Sequence, residues 1–188
     1  MVARFLERGI EAAKREAQAP RRDETPIRRY TAMNEDVTAA EAGMLIRRPV
    51  AEVFRAVVDP EVTTKFWFTR SSGKLKPGKR VRWEWEMYDQ SVDVDVDLIE
   101  ENERIVMRWP AYRGGGQTAV AWAFAPRGDN TFITVTNTGF TGDQESIAKQ
   151  AIEATGGFTL VLAGLKAWLE HGIELNLVRD RFPEGVEH

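Results

Sequence analysis

Cysteine is absent from this 188-residue chain, which excludes a disulfide framework, a thiolate metal site and a cysteine nucleophile. Histidine is nearly absent: His171 and His188 are too few for most transition-metal centres. Neither sign of charge dominates, with 26 Lys and Arg against 29 Asp and Glu and a formal net charge of −3, so there is no basic footprint for nucleic acid or an anionic membrane. No apolar run approaches the roughly 20 residues of a membrane span. Arg4, Glu7 and Arg8 interrupt any secretory-signal core, which makes the cytoplasm the expected location. With 43% hydrophobic and 29% charged residues, the composition is that of one soluble domain with an arm to spare.

The arm comes first. Val2, Phe5, Leu6, Ile10 and Ala13 recur at helical spacing among charges, and Pro20 closes the pattern, so Met1 to about Ala19 reads as a short amphipathic helix for packing or dimer contact. Residues from Arg21 to about Thr38 have linker composition. This places a domain boundary near 38/39. Beyond it, Met44, Leu45 and Ile46 form a first strand. Pro49 opens a helix carrying Val50, Val53, Phe54, Val57 and Val58, and Asp59-Pro60 breaks it and starts a second short helix running to Phe66 or Trp67.

A run of strands follows. Val81, Trp83, Trp85 and Met87 alternate with charged residues, as do Val92, Val94, Val96 and Leu98. A two-residue turn at Asp89-Gln90 sets Met87 opposite Val92, Trp85 opposite Val94, Trp83 opposite Val96 and Val81 opposite Leu98. A turn near Glu101-Asn102 then brings Ile105, Met107 and Trp109 against Leu98, Val96 and Val94. Another at Gly128-Asp129 sets Trp122 and Phe124 against Val135 and Ile133. The pattern predicts an antiparallel meander with one apolar and one charged face. Its cover is the last amphipathic segment, where Phe158, Val161, Leu162, Leu165, Trp168 and Leu169 share a helical face that Gly172 terminates. Before it, Asp143 is a candidate N-cap for a helix carrying Ile147, Ala151 and Ile152. Gly156-Gly157 marks a kink, a break or a close approach to the sheet. After Gly172, alternating Ile173, Leu175 and Leu177 suggest a short strand or an extended strap.

The segments RRPVAEVFRAVVDPEVTTKFW, LKPGKRVRWEWE, TVTNTGF and GGFTLVLAGLKAWLEHG together resemble the START-like, or helix-grip, superfamily, in particular the branch related to the activator of heat-shock-protein-90 ATPase. The resemblance covers roughly Ala40 to Gly172. It implies an α+β domain over 39–188 with a short C-terminal extension, in which a curved antiparallel sheet wraps around a long C-terminal helix and a cavity lies between them. Fold of this kind does not settle function. The implied role is binding or carriage of a small aromatic or lipid-like molecule without catalysis. The alternatives are a chaperone-associated interaction domain, although nothing in Met1 to Thr38 resembles the partner domain of those activators, or a cyclase-like enzyme with Tyr88 and Asn137 as its only weak acid-base candidates. No cofactor or metal is expected, and the chain would be a monomer or homodimer.

Trp67, Phe68, Trp83, Trp85, Met87, Trp109, Trp122, Phe124, Phe140, Phe158, Leu162 and Leu165 are the expected ligand-binding residues, with all six tryptophans, Trp168 included, directed to one interior. Asn137 joins them as a polar anchor, unless it is simply a satisfied amide at the sheet end. An unfilled void costs about 24 cal/mol per Å³, so an empty pocket of roughly 300 Å³ would forfeit around 7 kcal/mol of a total of about 5 to 15. Such a pocket must hold something or be small.

The remaining clusters read as structural. Glu84, Glu86, Asp93 and Asp95 would face each other on the outer side, with Arg108 opposite Asp95 and Arg82 opposite Asp97, a solvated surface and not a cation site. Arg113-Gly114-Gly115-Gly116 lacks the lysine of a phosphate loop and reads as a mobile connection or lid with Tyr112. Arg127-Gly128-Asp129 is turn chemistry, and His171 complements the helix dipole.

Overall fold

The computed structural model describes residues 38–111 and 116–184, within the unit Asp36–His188. The expected N-terminal helix, nearly all of the linker, and Tyr112 with the first part of the glycine loop lie outside the described residues. Element order is β1 (Ala40–Ile46), α1 (Val50–Val58), α2 (Pro60–Thr63), β2 (Arg70–Ser71), β3 (Arg80–Trp85), a 3-10 turn (Glu86–Tyr88), β4 (Gln90–Glu100), β5 (Arg104–Pro110), β6 (Gln117–Arg127), β7 (Asn130–Thr138), α3 (Gln144–His171) and α4 (Leu177–Asp180). The seven strands form one antiparallel sheet in the order β1-β7-β6-β5-β4-β3-β2. It is the α+β helix-grip architecture, its inner face bearing Val81, Trp83, Val94, Val96, Ile105, Met107, Val120, Trp122, Ile133 and Val135, all buried.

Pairing of β6 with β7 follows the expected register, with Trp122 opposite Val135 and Phe124 opposite Ile133. The β3–β4 pairing is shifted by four residues: Trp83 faces Val92 and Val81 faces Val94, where Val96 and Leu98 were expected. The cause is local. Glu86–Tyr88 coil into a 3-10 turn closed by Asp89 in the left-handed region (φ 50°), which removes Met87 from the strand. A shift of four, being even, preserves the inward face, because side chains alternate with period two. A bulge between Val96 and Leu98 does change the face: Leu98 pairs with Val106 and Ile99 takes the inward position opposite Ile105.

The same slip removes the expected clash of carboxylates. Arg80 faces Asp95 and bonds it at 2.7 and 3.0 Å, and Arg82, not Glu86, faces Asp93. Arg108 lies opposite Asp95 as expected but bonds Asp97 at 2.7 and 2.8 Å. Hydrogen bonds from Arg80 and Arg108 hold the Asp95 and Asp97 carboxyls below the usual range. Solvent screens these exposed pairs, so they add little to stability.

One 28-residue helix, α3, replaces the two expected segments. Asp143 caps it, its carboxylate accepting from the Ser146 amide at 2.8 Å, and Gly172 closes it with φ 68°. Gly156-Gly157 does not break it. A Cβ on Gly156 would meet the Arg181 guanidinium at 3.2 Å, so what approaches there is the C-terminal segment and not the sheet, while Gly157 faces open space. That segment forms no strand. It runs without regular structure from Gly172 into α4 and is fastened where the Tyr88 hydroxyl donates to the Val178 and Arg179 carbonyls.

A polar clasp ties the end of α3 to edge strand β1. Lys166 Nζ donates to the Leu45 carbonyl at 2.7 Å and to Glu170 at 2.6 Å, and the Arg47 amide donates to Glu170 Oε1 at 2.7 Å. The helix thereby occupies backbone groups at a sheet edge that would otherwise invite another strand. Burial alone would raise the Glu170 pKa, but Lys166 and the Arg47 amide outweigh it and lower it from 4.5 to about 2. A depressed carboxyl stabilises the fold above its unfolded pKa and loses that contribution as pH falls toward its folded value. Glu170→Gln should therefore cost roughly 2–3 kcal/mol near pH 7 and progressively less between pH 4.5 and 2. Urea unfolding at several pH values checks this; parallel pH dependences for both proteins would contradict it.

Candidate functional site

Aromatic side chains from five separate segments converge between the sheet and α3. Trp83, Trp109 and Trp122 rise from the inner faces of β3, β5 and β6, and Phe158 descends from α3. Strand alternation sets the first three and helical spacing the fourth. Trp67 and Phe68 come from the bend between α2 and β2. Trp67 lies at the centre: its ring centroid is 4.8 Å from Trp83, 5.4 Å from Trp122, 5.9 Å from Phe68, 6.1 Å from Phe158 and 6.2 Å from Trp109. Phe68 stacks on Trp83 at 4.6 Å and touches Trp85 at 6.3 Å. These separations suit tilted, T-shaped and offset aromatic pairs.

The cluster contains unsatisfied polarity. Trp83 is 1% and Trp122 0% exposed, yet neither indole N–H has a hydrogen-bond partner among the described residues. Thr118 Oγ1, opposite Trp109 on the same inner face, is also buried without one. Each such group costs about 1–3 kcal/mol when left unpaired. Asn137, by contrast, donates its amide to the Ala119 carbonyl at 2.9 Å, the arrangement of a satisfied amide at the sheet end.

Other expected site residues lie elsewhere. Phe124 pairs with Phe54 of α1 at 5.2 Å, and Leu162 and Leu165 are core residues of α3. Phe140 is half-buried beyond the end of β7. Met87, in the 3-10 turn, borders a surface hollow of about 330 Å³ with Tyr88, Arg179, Asp180, Phe182 and Pro183. Trp168 does not join the other tryptophans; it lies under the Lys65 ammonium, 5.7 Å from the ring centroid. Among the described residues, no three His, Cys, Asp or Glu side chains are grouped to hold a metal ion.

Two site features escaped the sequence reading. Thr118 looks like an ordinary strand threonine until its neighbours are known. Gly164 left a signal: glycine inside a helix costs about 1 kcal/mol relative to alanine and requires a packing reason. The reason is Phe66, whose Cβ and carbonyl oxygen would lie 3.0 and 3.3 Å from a Cβ on Gly164. The bare helix surface lets the Phe66–Phe68 segment approach and present Trp67 to the interior.

With that geometry in place, comparison with known proteins places the chain. A family model described as Activator of Hsp90 ATPase homolog 1-like protein matches residues 47–170. The chain belongs to this family. A search of curated proteins finds no match. Among solved structures, this family member is similar to protein SSP2350 from Staphylococcus saprophyticus, with 28% identity over 73% of this chain and 96% of that one and a TM-score of 0.64. It is also similar to DynU16, a putative protein in the dynemicin biosynthetic locus (22% identity, 72% and 48% covered, TM-score 0.63). A third is the Aha1 dimer from Colwellia psychrerythraea (15% identity, 72% and 98% covered, TM-score 0.61). The last two share the fold. No helix among the described residues is long and apolar enough to cross a membrane.

Gly164→Ala tests how the cluster is held. The added methyl must displace Phe66, an overpacking cost of roughly 1–3 kcal/mol that exceeds the gain of about 1 kcal/mol in helix propensity. The variant should unfold at lower urea and show a weakened near-ultraviolet tryptophan circular dichroism band; unchanged values of both would contradict the close approach.

Proposed function

We propose that the domain binds a small hydrophobic molecule, aromatic in character, between the inner face of the sheet and α3, without catalysing its conversion. The observation that carries this reading is the convergence of Trp67, Trp83, Trp109, Trp122 and Phe158 around buried N–H and O–H groups that the protein leaves unpaired. Apolar walls with a few polar groups are the usual chemistry of a small-molecule site. Burial and stacking would supply affinity, and Trp83, Trp122 and Thr118 would reward a ligand carrying hydrogen-bonding atoms. A fold relative from a biosynthetic locus is in keeping with small-molecule handling. A noncatalytic role fits the inner face, which among the described residues presents indoles, threonines and an amide and no ionisable acid-base pair.

Family membership favours a second reading, in which the domain engages a chaperone as the family description implies. A pull-down and an ATPase-stimulation assay with the cognate chaperone decide it. For the first reading, tryptophan fluorescence of the full chain is titrated with a panel of flavonoids, aromatic polyketides and fatty acids, and freshly purified protein is examined by native mass spectrometry. At least one aromatic compound should give a saturable response that Trp109→Ala weakens at least tenfold. Absence of any response, with no retained small molecule, retires this reading.

A further inference from the structure

The proposed site is occupied, and its occupant belongs to the protein. Trp67 fills the centre of the cluster, within 6.2 Å of five other aromatic rings, yet it is only partly buried. Its support differs from theirs. Trp83, Trp109, Trp122 and Phe158 are fixed on strands or on α3, whereas Trp67 sits at a bend just past the turn in which the Phe66 and Trp67 amides both donate to the Thr63 carbonyl. Phe66, seated on Gly164, fixes the backbone next to Trp67, and a side chain changes rotamer by turning about its own bonds without moving that backbone. What it covers is chemically unfinished. The Trp83 and Trp122 rings against it carry N–H groups with no acceptor among the described residues, and an indole beside them offers a donor and a π face but no lone-pair oxygen.

We propose that Trp67 is a displaceable plug holding the place of the ligand, and that the ligand it yields to is a planar fused bicyclic, about the size of an indole, that carries the acceptor oxygens the two buried N–H groups lack. This rests on the binding reading above and specifies its ligand. Trp67 supplies the shape of the guest, and the unpaired donors supply its polarity. An isostere without oxygen leaves both donors unpaired and is rejected, since a site built to hydrogen-bond discriminates most strongly against a guest that cannot. The plug also keeps the unliganded domain from carrying a void of ring size, and it lowers apparent affinity by the fraction of time it stays in place.

The test uses the full chain labelled with 5-fluorotryptophan, with Trp67 identified by the fluorine resonance lost in Trp67→Phe. The probes are coumarin, a bicyclic with carbonyl and ring oxygens, and naphthalene, its oxygen-free counterpart. Saturating coumarin should shift the Trp67 resonance toward that of a solvent-exposed tryptophan. Trp67→Leu should bind coumarin at least tenfold more tightly than the parent, whereas Phe54→Leu, an equivalent truncation outside the cluster, leaves affinity unchanged. Coumarin should be preferred over naphthalene about tenfold, and Trp122→Phe should reduce that preference. Coumarin binding with an unmoved Trp67 resonance, or weaker binding by Trp67→Leu, overturns the plug while leaving the binding reading intact. Equal affinity for the two probes overturns the assigned ligand chemistry. Failure of the parent and of Trp67→Leu to bind either probe overturns the plug; it overturns the binding reading as well only if the broader panel is also silent.

Discussion

A single helix cannot cover seven strands, and that mismatch of widths governs this domain. Strands lie about 4.8 Å apart, so seven of them span roughly 29 Å, while a helix with its side chains is about 10–12 Å across. Helix α3 meets the sheet chiefly along β1, and its Phe158 reaches Trp109 of β5 and Trp122 of β6. Curvature brings the far strands nearer, but the inner face of β3 to β6 still needs a cover. Phe54 of α1 supplies part of it, and the bend bearing Phe66, Trp67 and Phe68 supplies the rest. The region where helix cover gives way to loop cover is where the indoles gather.

Two parts of the molecule are finished to different degrees. The clasp of Lys166, Glu170 and Arg47 is fully paired, seats α3 on β1 and closes that edge. The outer face of β3 to β5 is likewise laced with paired charges. The aromatic interior instead leaves two indole N–H groups and a threonine hydroxyl without partners. Buried polar groups are ordinarily satisfied, so exceptions need an explanation. Trp83 and Trp122 lie against Trp67, on a segment that is neither helix nor strand, so the fold is secured along β1 while the unpaired groups lie on the far side of the inner face.

Much of this was legible in the sequence. Alternation identified the strands and their inward faces, Asp143 and Gly172 marked the ends of α3, and the strand-helix-helix-strands-helix order pointed to the helix-grip class. These features depend on local backbone chemistry and on period, which a chain carries residue by residue. The β6–β7 register was legible too, because a tight turn at Gly128 leaves little latitude. The β3–β4 register was not, since the 3-10 turn at Glu86–Tyr88 is fastened by Tyr88 to Val178 and Arg179, some ninety residues away. The bulge at Val96/Leu98 is a pairing event between strands, and no single strand announces it.

The candidate site divides in the same way. The sequence by itself determined that Trp83, Trp109, Trp122 and Phe158 face inward, because facing follows from period, and it named Trp67 and Phe68 beside them at the end of the second short helix. Only the tertiary structure decided that Trp67 stands at their centre, that Phe124, Met87, Phe140 and Trp168 stand apart, and that Thr118 belongs with the cluster and Gly164 beneath it. Those outcomes turn on distances between segments far apart in the chain. Packing resolves them collectively, with each side chain placed by neighbours that its own position cannot specify.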